Sequence, residues 1–273
     1  MVSILTQVNF FGSVDTTRFV VLGALEDDNI IPPIQLNDDQ GNLLTSNADA
    51  SQLEILLRDG NDIFDGSTLE IRNQDVEVIV VGNKGNDLIT GSFGQDSLFG
   101  GQDNDDILGG EGDDQLFGNL GDDFVLDGGL GNDSIFGGQN DDYVRGGEGD
   151  DQVFGDRGND IIHGDGGIDL LTGGAGQDQF VIDLMLETQT NDPNLVDTIQ
   201  DFTSGEDEIV IFGINSEFIE VSNLTSVGSS SGFVLYDTRG GDIGSGREFA
   251  IAFIEQNSSL TADITVGTDI FTI

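Results

Sequence analysis

The chain has no cysteine and no tryptophan, and it holds one histidine and three prolines in 273 residues. Without cysteine it forms no disulfides and offers no thiolate to a metal or a substrate. The single histidine, His163, excludes the H-E-x-x-H zinc site of metalloproteases, because that site needs two histidines. The composition therefore leaves out much of the chemistry that hydrolytic enzymes use.

Basic residues are also scarce. Lys and Arg number 8 against 52 Asp and Glu, which gives a formal net charge of -44. Such a surface repels nucleic acid and anionic lipid, so we expect neither as a partner, and it attracts cations. No run approaches the roughly 18 apolar residues of a membrane helix, so we expect no membrane insertion.

Glycine is abundant, with 41 residues, and over residues 82–181 it recurs with a nine-residue period. Eleven repeats follow one another, with one extra residue, Asp127, between the fifth and the sixth. Cut at the glycines, they read GNKGNDLIT, GSFGQDSLF, GGQDNDDIL, GGEGDDQLF, GNLGDDFVL, GGLGNDSIF, GGQNDDYVR, GGEGDDQVF, GDRGNDIIH, GDGGIDLLT and GGAGQDQFV.

Two places are constant in character through all eleven repeats. The sixth place is always aspartate: Asp87, Asp96, Asp105, Asp114, Asp123, Asp133, Asp142, Asp151, Asp160, Asp169 and Asp178. The eighth place is always apolar: Ile89, Leu98, Ile107, Leu116, Val125, Ile135, Val144, Val153, Ile162, Leu171 and Phe180. Acid that merely adapts a surface to a saline habitat would be scattered, whereas this acid lies in register.

The repeat predicts a six-residue turn followed by a strand of three residues. Glycines at the first, second and fourth places permit positive φ and close approach of neighbouring backbones. Side chains alternate along a strand, so the eighth place faces inward and its neighbours face outward. One such strand buries too little to be stable alone, and a stack of them builds a continuous core.

The nonapeptide G-G-x-G-x-D-x-U-x is typical of repeats-in-toxin (RTX) proteins, and residues 82–181 resemble it throughout. The resemblance implies an all-β fold, a right-handed parallel β-roll in which two repeats make one turn of the coil. On that fold the turn of one repeat lies above the turn two repeats later, and Ca²⁺ is bound between them by the sixth-place aspartates. The repeat turns stack six deep on one edge and five deep on the other. They leave five gaps and four gaps, so at most nine calcium sites are shared between stacked turns.

Three departures from the pattern carry expectations of their own. Asp103 and Asn140 replace the fourth-place glycine, and both residue types tolerate left-handed geometry, so we expect these turns to persist. Asp127 interrupts the spacing, and we expect a bulge there that weakens the calcium sites spanning it.

The flanks divide the chain into three parts. Residues 1–57 are predicted to be an N-terminal β-rich cap or, alternatively, a separate recognition head. The roll covers residues 58–181, of which 58–81 are degenerate, with Asp62 in a sixth place and Phe64 in an eighth. Residues 182–273 are predicted to form a C-terminal, β-sandwich-like cap with strands near 218–224, 233–236 and 248–254.

The segment VDTIQDFTSGEDEIVIFG at 196–213 resembles the stretch that follows the repeats in RTX proteins. Asp197, Asp201, Glu206 and Asp207 are candidates for one more calcium site, or are solvated turn acids. The strand near 248–254 alternates large and small residues, which predicts a sheet packed on one face.

The termini bear on export. The N-terminal MVSILTQVNFFG has no Lys or Arg before Arg18, so we expect no cleavable secretory signal. The C-terminal GTDIFTI is similar to the uncleaved type I secretion signals of RTX proteins, and it also reads as a final strand.

We find no catalytic set. GSSSG at 228–232 matches the G-x-S-x-G pattern, but Ser230 lies in a serine-rich loop and His163 occupies a ninth place that should face solvent. The sequence therefore predicts a secreted or cell-surface calcium-binding protein without enzyme activity, which folds on calcium binding. The leading hypothesis is a structural component of a surface or matrix that self-associates as a homo-oligomer or filament. The alternative is an adhesin whose end caps recognise a cell-surface glycan or protein.

Overall fold

The structure is a computed structural model that describes residues 52–57, 59–67, 77–184, 196–212, 230–237 and 249–255, together with the backbone of short strands elsewhere. All 26 elements found in these residues are β-strands, numbered β1–β26 in chain order. Most of them pair in parallel within two long sheets. The prediction of an all-β parallel roll is confirmed.

Sheet I contains the strands that begin at the seventh place of the odd-numbered repeats, together with flanking strands on both sides. Its eleven strands are β1 (Ser3–Ile4), β4 (Asp28–Ile30), β7 (Ile63–Asp65), β9 (Leu88–Thr90), β11 (Asp106–Glu111), β13 (Val125–Leu130), β15 (Tyr143–Glu148), β17 (Ile161–Gly166), β19 (Gln179–Asp183), β21 (Glu208–Phe212) and β26 (Ile264–Val266).

Sheet II contains the strands that begin within the even-numbered repeats, together with flanking strands on both sides. Its thirteen strands are β3 (Arg18–Leu22), β6 (Gln52–Leu56), β8 (Glu77–Lys84), β10 (Asp96–Gln102), β12 (Gln115–Leu120), β14 (Ser134–Gln139), β16 (Gln152–Arg157), β18 (Leu170–Ala175), β20 (Asp197–Ile199), β22 (Ile219–Val221), β23 (Thr225–Val227), β24 (Ser230–Asp237) and β25 (Phe249–Glu255). The remaining strands, β2 (Gln7–Asn9) and β5 (Gln35–Asn37), pair with each other.

The repeat strands are longer than predicted. From β11 to β18 each spans six residues, from the seventh place of one repeat to the third place of the next, and only places four to six form the turn. The reason lies in the first-place glycine, which is buried and belongs to the strand instead of the turn, as Gly137 does in β14. The inward column of each strand is therefore an apolar side chain followed by a bare glycine.

The eighth-place side chains form one continuous core between the two sheets. In ten of the eleven repeats they are fully buried, and neighbouring strands hold them in register, as in the pairing of Leu98 with Leu116. Phe64, predicted for the same column, is also fully buried. Each repeat therefore adds one apolar side chain to the same cluster.

The fifth repeat corrects the sequence prediction. Its core residue is Leu126, which is fully buried and pairs with Ile107 and Val144, whereas Val125 is only partly buried. The inserted residue is Phe124, which is 65% exposed. Asp127 lies in a regular ninth place, paired with Leu108 and Arg145. The larger side chain of Leu126 takes the inward position, and the surplus residue is displaced between the turn and the strand.

Both sheets continue beyond the repeats. On the N-terminal side, β3 and β6 extend sheet II in parallel, and β1, β4 and β7 extend sheet I. Residues 68–76, in which part of the degenerate region was predicted, lie outside the described residues. The division of the chain at residues 57 and 181 stays a prediction.

On the C-terminal side the pairing becomes antiparallel between β24 and β25. The strand β25 was expected to pack on one face, but it is buried on both. Ile251, Ala252 and Ile254 belong to the main core, while Ala250 and Phe253 join a second cluster with Val234. Both faces of this strand are therefore covered, which sequence alternation alone does not reveal.

Candidate metal centre

The turns owe their shape to residues in the left-handed region. Fourth-place glycines such as Gly131 and Gly149 have φ of 133° and 137°. Asp103 and Asn140, which replace glycine at that place, adopt φ of 73° and 80°. The expectation that these two turns persist is confirmed, because short polar side chains tolerate this conformation.

The sixth-place aspartates are buried within the turns, and each is at most 3% exposed. They stack in two ladders, one along each edge of the roll. In every stacked pair the backbone N–H of one aspartate donates to Oδ1 of the aspartate two repeats later, as from Asp87 to Asp105 at 2.8 Å and from Asp96 to Asp114 at 2.8 Å. Nine such bonds, 2.7–3.0 Å long, correspond to the nine predicted gaps between turns.

The odd ladder contains Asp87, Asp105, Asp123, Asp142, Asp160 and Asp178. The even ladder contains Asp96, Asp114, Asp133, Asp151 and Asp169. The structure thus brings together all eleven predicted site residues in the two sets that the stacking of alternate repeats implies.

The second carboxylate oxygen is different. Oδ2 is buried and accepts no hydrogen bond within the described residues in nine of these aspartates: Asp87, Asp105, Asp114, Asp123, Asp133, Asp142, Asp151, Asp160 and Asp169. A buried polar atom without a partner costs about 1–3 kcal/mol, and more if it is charged. The same unsatisfied atom recurs in turn after turn, so the feature belongs to the repeat and not to one position.

Asp96 departs from this arrangement. Its Oδ2 accepts a hydrogen bond of 2.5 Å from the backbone N–H of Ser92, and its Oδ1 accepts one of 3.0 Å from the Ser92 hydroxyl. Ser92 stands where most repeats have glycine, asparagine or aspartate at positive φ. The second repeat therefore satisfies its own carboxylate locally.

The first-place glycine leaves room beside each carboxylate. A Cβ added at Gly137 would lie 2.7 Å from both Asp142 Oδ2 and the carbonyl oxygen of Gly155. The backbone at Gly137 has no positive φ, so the space and not the conformation requires glycine there. A carboxylate oxygen and a main-chain carbonyl oxygen thus face the same small space, which is the type of donor pair that Ca²⁺ binds.

Burial makes these carboxylates poor anions in the absence of a cation. Burial first, and then the charges of neighbouring ladder aspartates, raise the pKa of Asp105 and of Asp142 from 3.8 to about 8, against a backbone hydrogen bond that lowers it. The pKa of Asp96, which has its serine partners, is raised to about 6, as is that of Asp123, which lacks them. A divalent cation between the turns would remove this cost of charge burial.

The donor set suits a hard cation. All the oxygens named above belong to carboxylates or the main chain, and Ca²⁺ takes about six to eight such ligands. Among the described residues no three acidic or histidine side chains form a cluster that could hold a metal ion by themselves. Main-chain carbonyls of the turns would therefore have to supply much of the coordination.

Comparison with protein families bears on this arrangement. The family model of the RTX calcium-binding nonapeptide repeat matches four times, at residues 79–107, 94–125, 125–153 and 154–181. Residues 79–181 are RTX calcium-binding nonapeptide repeats. A search of curated proteins found no match to the chain. RTX repeats bind calcium in general, and the roll that they build is a structural calcium-binding fold.

Three ladder members lie outside the eleven RTX repeats. The N–H of Asp62 donates to Asp87 Oδ1 at 2.8 Å, that of Asp169 to Asp197 Oδ1 at 2.9 Å, and that of Asp178 to Asp207 Oδ1 at 3.1 Å. Each is followed two residues later by a buried apolar residue, Ile199 and Ile209 in the last two cases. The pattern of an aspartate followed two residues later by an apolar residue can be recognised in the sequence at these three positions, although the repeat glycines are incomplete there.

The four C-terminal acids do not form the single extra site that was considered for them. Asp197 extends the even ladder and Asp207 the odd one. The carboxylate of Asp201 instead accepts hydrogen bonds of 2.8 Å from the N–H groups of Gly173 and Gly174. These acids therefore close the stacked turns separately.

The aspartate ladders run through the insertion without interruption. The two hydrogen bonds that span it are the one from Asp114 to Asp133, 2.7 Å long, and the one from Asp123 to Asp142, 2.9 Å long. The expected weakening of the calcium sites there stays a prediction. The insertion at Phe124 comes after the sixth place, so it disturbs the start of a strand and leaves the turn intact.

His163 is more enclosed than predicted. Its side chain is 16% exposed, its ring lies 5.1 Å from that of Tyr143, and its Nδ1 is 3.9 Å from Asp165. Burial lowers its pKa to about 4, so it is neutral at pH 7. Arg145 pairs with Asp165 at 2.6 Å and with Asp127 at 3.2 Å on the same outer face. Ser230 begins the strand Ser230–Asp237 and does not lie at a strand-to-helix turn.

Proposed function

We propose that this is a secreted calcium-binding protein whose roll folds when calcium binds outside the cell. The observation that carries the proposal is the series of nine buried Oδ2 atoms without hydrogen-bond partners along the two aspartate ladders. Stacked carboxylates repel one another, and each repeat contributes one apolar side chain to the core. Without a cation the balance favours the unfolded chain.

All eleven sixth-place aspartates would hold calcium from its two sides, with main-chain carbonyls of the glycine-rich turns completing the shell. Calcium, when bound, would supply positive charge between the carboxylates that the fold stacks along each ladder. Nine ions would bring 18 charges and change the net charge from -44 to -26. The folded rod would remain strongly anionic and soluble.

The setting that we propose is the cell surface or the extracellular matrix, with the rod as a structural, non-enzymatic component. RTX repeat proteins are generally secreted, and weak calcium sites with dissociation constants of about 10⁻⁴–10⁻³ M fill in extracellular media. Most described strands belong to the scaffold itself, which supports a structural role. None of the described residues forms a helix long and apolar enough to cross a membrane.

A second candidate is a calcium-dependent adhesin that recognises a glycan or a protein through its ends. The antiparallel strands β22, β24 and β25 at the C-terminal end of sheet II favour it, since they lie beyond the repeats. Deleting residues 213–273 would abolish surface attachment if this candidate is right and would leave it intact if the rod alone is structural.

Calcium-triggered folding is tested by circular dichroism and sedimentation on one sample titrated from chelator to about 10 mM calcium, above the weak-site range. We expect a cooperative gain of β signal together with compaction. Complete folding in chelator would refute the proposal, because the carboxylates would then not need a cation. Export is tested separately by locating the protein in medium, surface and cytoplasmic fractions of the producing cells.

A further inference from the structure

The outer face of sheet II differs from the rest of the surface. We define the phenylalanine face as the outward residues of five strands, β10, β12, β14, β16 and β18. Its ninth-place residues Phe99, Phe117, Phe136 and Phe154 stack with ring centroids 4.7, 5.0 and 4.8 Å apart and interplanar angles of 4°, 3° and 2°. These four half-buried rings form a straight ridge across the strands.

The seventh-place column beside this ridge is polar but uncharged. It consists of Ser97, Gln115, Ser134 and Gln152, paired in register across the sheet. Over the five strands the outward charges are one acid, Asp156, and its neighbour Arg157. The face is therefore close to neutral on a chain whose net charge is -44.

The opposite sheet is acidic on its outer side. The four strands β11, β13, β15 and β17 carry one arginine against five acids: Asp106, Glu111, Asp127, Glu148 and Asp165. Two copies of a chain this anionic repel each other wherever acid faces acid. Contact through the phenylalanine face brings the fewest like charges together.

A groove lies along the other side of the ridge. It has a volume of ≈ 960 Å³, and its lining includes Gly101, Gly138, Leu120 and Gln139 together with the charged pair Asp156 and Arg157. The ridge and the groove run in the same direction on one face. A two-fold axis that lies in the contact plane and runs parallel to the ridge would therefore place the ridge of each copy in the groove of the other.

We propose that the phenylalanine face is the surface through which two copies of this chain associate in the calcium-bound state. This inference rests on the proposed function, since it needs the folded roll, and it replaces end-to-end contact of strand edges with face-to-face contact. A strand spacing of about 4.8 Å and a rise of about 3.3 Å per residue give a face of roughly 500 Å². Two faces bury roughly 1,000 Å² in total, the lower limit for a specific interface. The association is therefore weak, reversible and dependent on concentration.

The aromatic geometry favours a second copy over a sugar. A sugar ring binds an aromatic side chain through an exposed ring face. In this ridge the faces cover one another, and the ring edges point to solvent. Ring edges and flat backbone fit a shallow groove of the same repeat spacing, which a second copy supplies.

The test uses the full chain with saturating calcium, in sedimentation velocity at a series of concentrations. The variant Gln102→Glu with Gln139→Glu adds two charges to the face without changing side-chain size, and glutamate is already found at the third place in Glu111 and Glu148. The control is Gln95→Glu with Gln177→Glu, which makes the same chemical change in exposed turns. Circular dichroism of each sample reports folding independently.

We expect a concentration-dependent dimer for the unchanged chain and the control, and at least a tenfold higher dissociation constant for the face variant. A folded chain that stays monomeric up to millimolar concentration would overturn the face inference and leave calcium-triggered folding standing. Equal association of the face variant and the control would place the contact elsewhere and also overturn it. Binding of a neutral polysaccharide by folded monomers would show a glycan surface instead. Failure to fold with calcium would refute the proposed function.

Discussion

Replacing Asp142 with asparagine separates two effects of the same carboxylate. Asp142 lies in the middle of the odd ladder, between Asp123 and Asp160. Asparagine keeps an Oδ1 that accepts the hydrogen bond of 2.9 Å from the Asp123 N–H. It replaces the unpartnered Oδ2 with an amide donor in the space that also contains the Gly155 carbonyl oxygen. Only the charge and one ligand oxygen are lost.

Without calcium this change should stabilise the roll. Because the pKa of Asp142 rises from 3.8 in the unfolded chain to about 8 in the fold, burial favours its protonated form. The stability of the fold is therefore greatest below pH 3.8 and falls as the pH rises toward 8. At pH 7 Asp142 is ionised in the unfolded chain and must take up a proton on folding, which over about three pH units costs roughly 4 kcal/mol. Asparagine avoids this cost because it does not ionise. Water that enters the turn solvates the carboxylate and makes the cost smaller than roughly 4 kcal/mol.

With calcium the sign reverses. A hydrogen bond or ligand contact to a charged group contributes about 1.5–3 kcal/mol. Its loss corresponds to roughly 10- to 100-fold weaker affinity at the two gaps that Asp142 borders. The assay is a calcium titration followed by circular dichroism, with isothermal calorimetry of the same samples. The variant should need more calcium for folding and yet show more β signal than the parent in chelator.

The matched control is Asp141→Asn. Asp141 is the neighbouring acid, but it is exposed, and its Oδ1 accepts a hydrogen bond of 2.7 Å from the Asn159 N–H. We expect little change in the calcium dependence or in the chelator signal. If both variants shift the calcium titration equally, general acidity and not the buried ladder binds calcium, and the reasoning from buried oxygens is refuted.

Three further predictions follow from the same geometry. In chelator, acidification from pH 7 to pH 5 should increase β signal, because each ladder aspartate with a raised pKa takes up a proton on folding and a lower pH favours that uptake; an unchanged spectrum would contradict this. Gly137→Ala should destabilise the calcium-bound roll by about 1–3 kcal/mol in thermal melts, because its methyl group would contact the Asp142 carboxylate and the Gly155 carbonyl. The control Glu148→Ala, at an exposed place, should leave the melting temperature unchanged. Equal melting temperatures for the two variants would show that the roll does not need a glycine at the first place. Leu126→Ala should lower the free energy of unfolding by about 2–5 kcal/mol, and Val125→Ala should lower it much less. The reverse order would show that Val125 is the core residue, as the regular nine-residue pattern predicts.

The sequence determined most of the roll because every repeat has glycine, aspartate and an apolar residue at the same places, and these residues favour the same turn and strand. The glycine and aspartate places predicted stacked turns, and the eighth place predicted the core, for ten of the eleven repeats. Asp103 and Asn140 were correctly expected to replace glycine at positive φ, because that tolerance belongs to the residue itself. The eleven ladder aspartates were named from their place alone.

The tertiary structure decided what depends on neighbouring turns. Whether Val125 or Leu126 enters the core is a competition for one inward position, and the strands on both sides settle it by their register with Ile107 and Val144. The first-place glycine proved to be a strand residue, because the constraint on it comes from a carboxylate and a carbonyl that fold against it. Asp197 and Asp207 joined the ladders although no glycine period marks them. A repeat encodes its own turn and strand, but the space beside each atom is set by the turns stacked on it, and only the folded chain contains those.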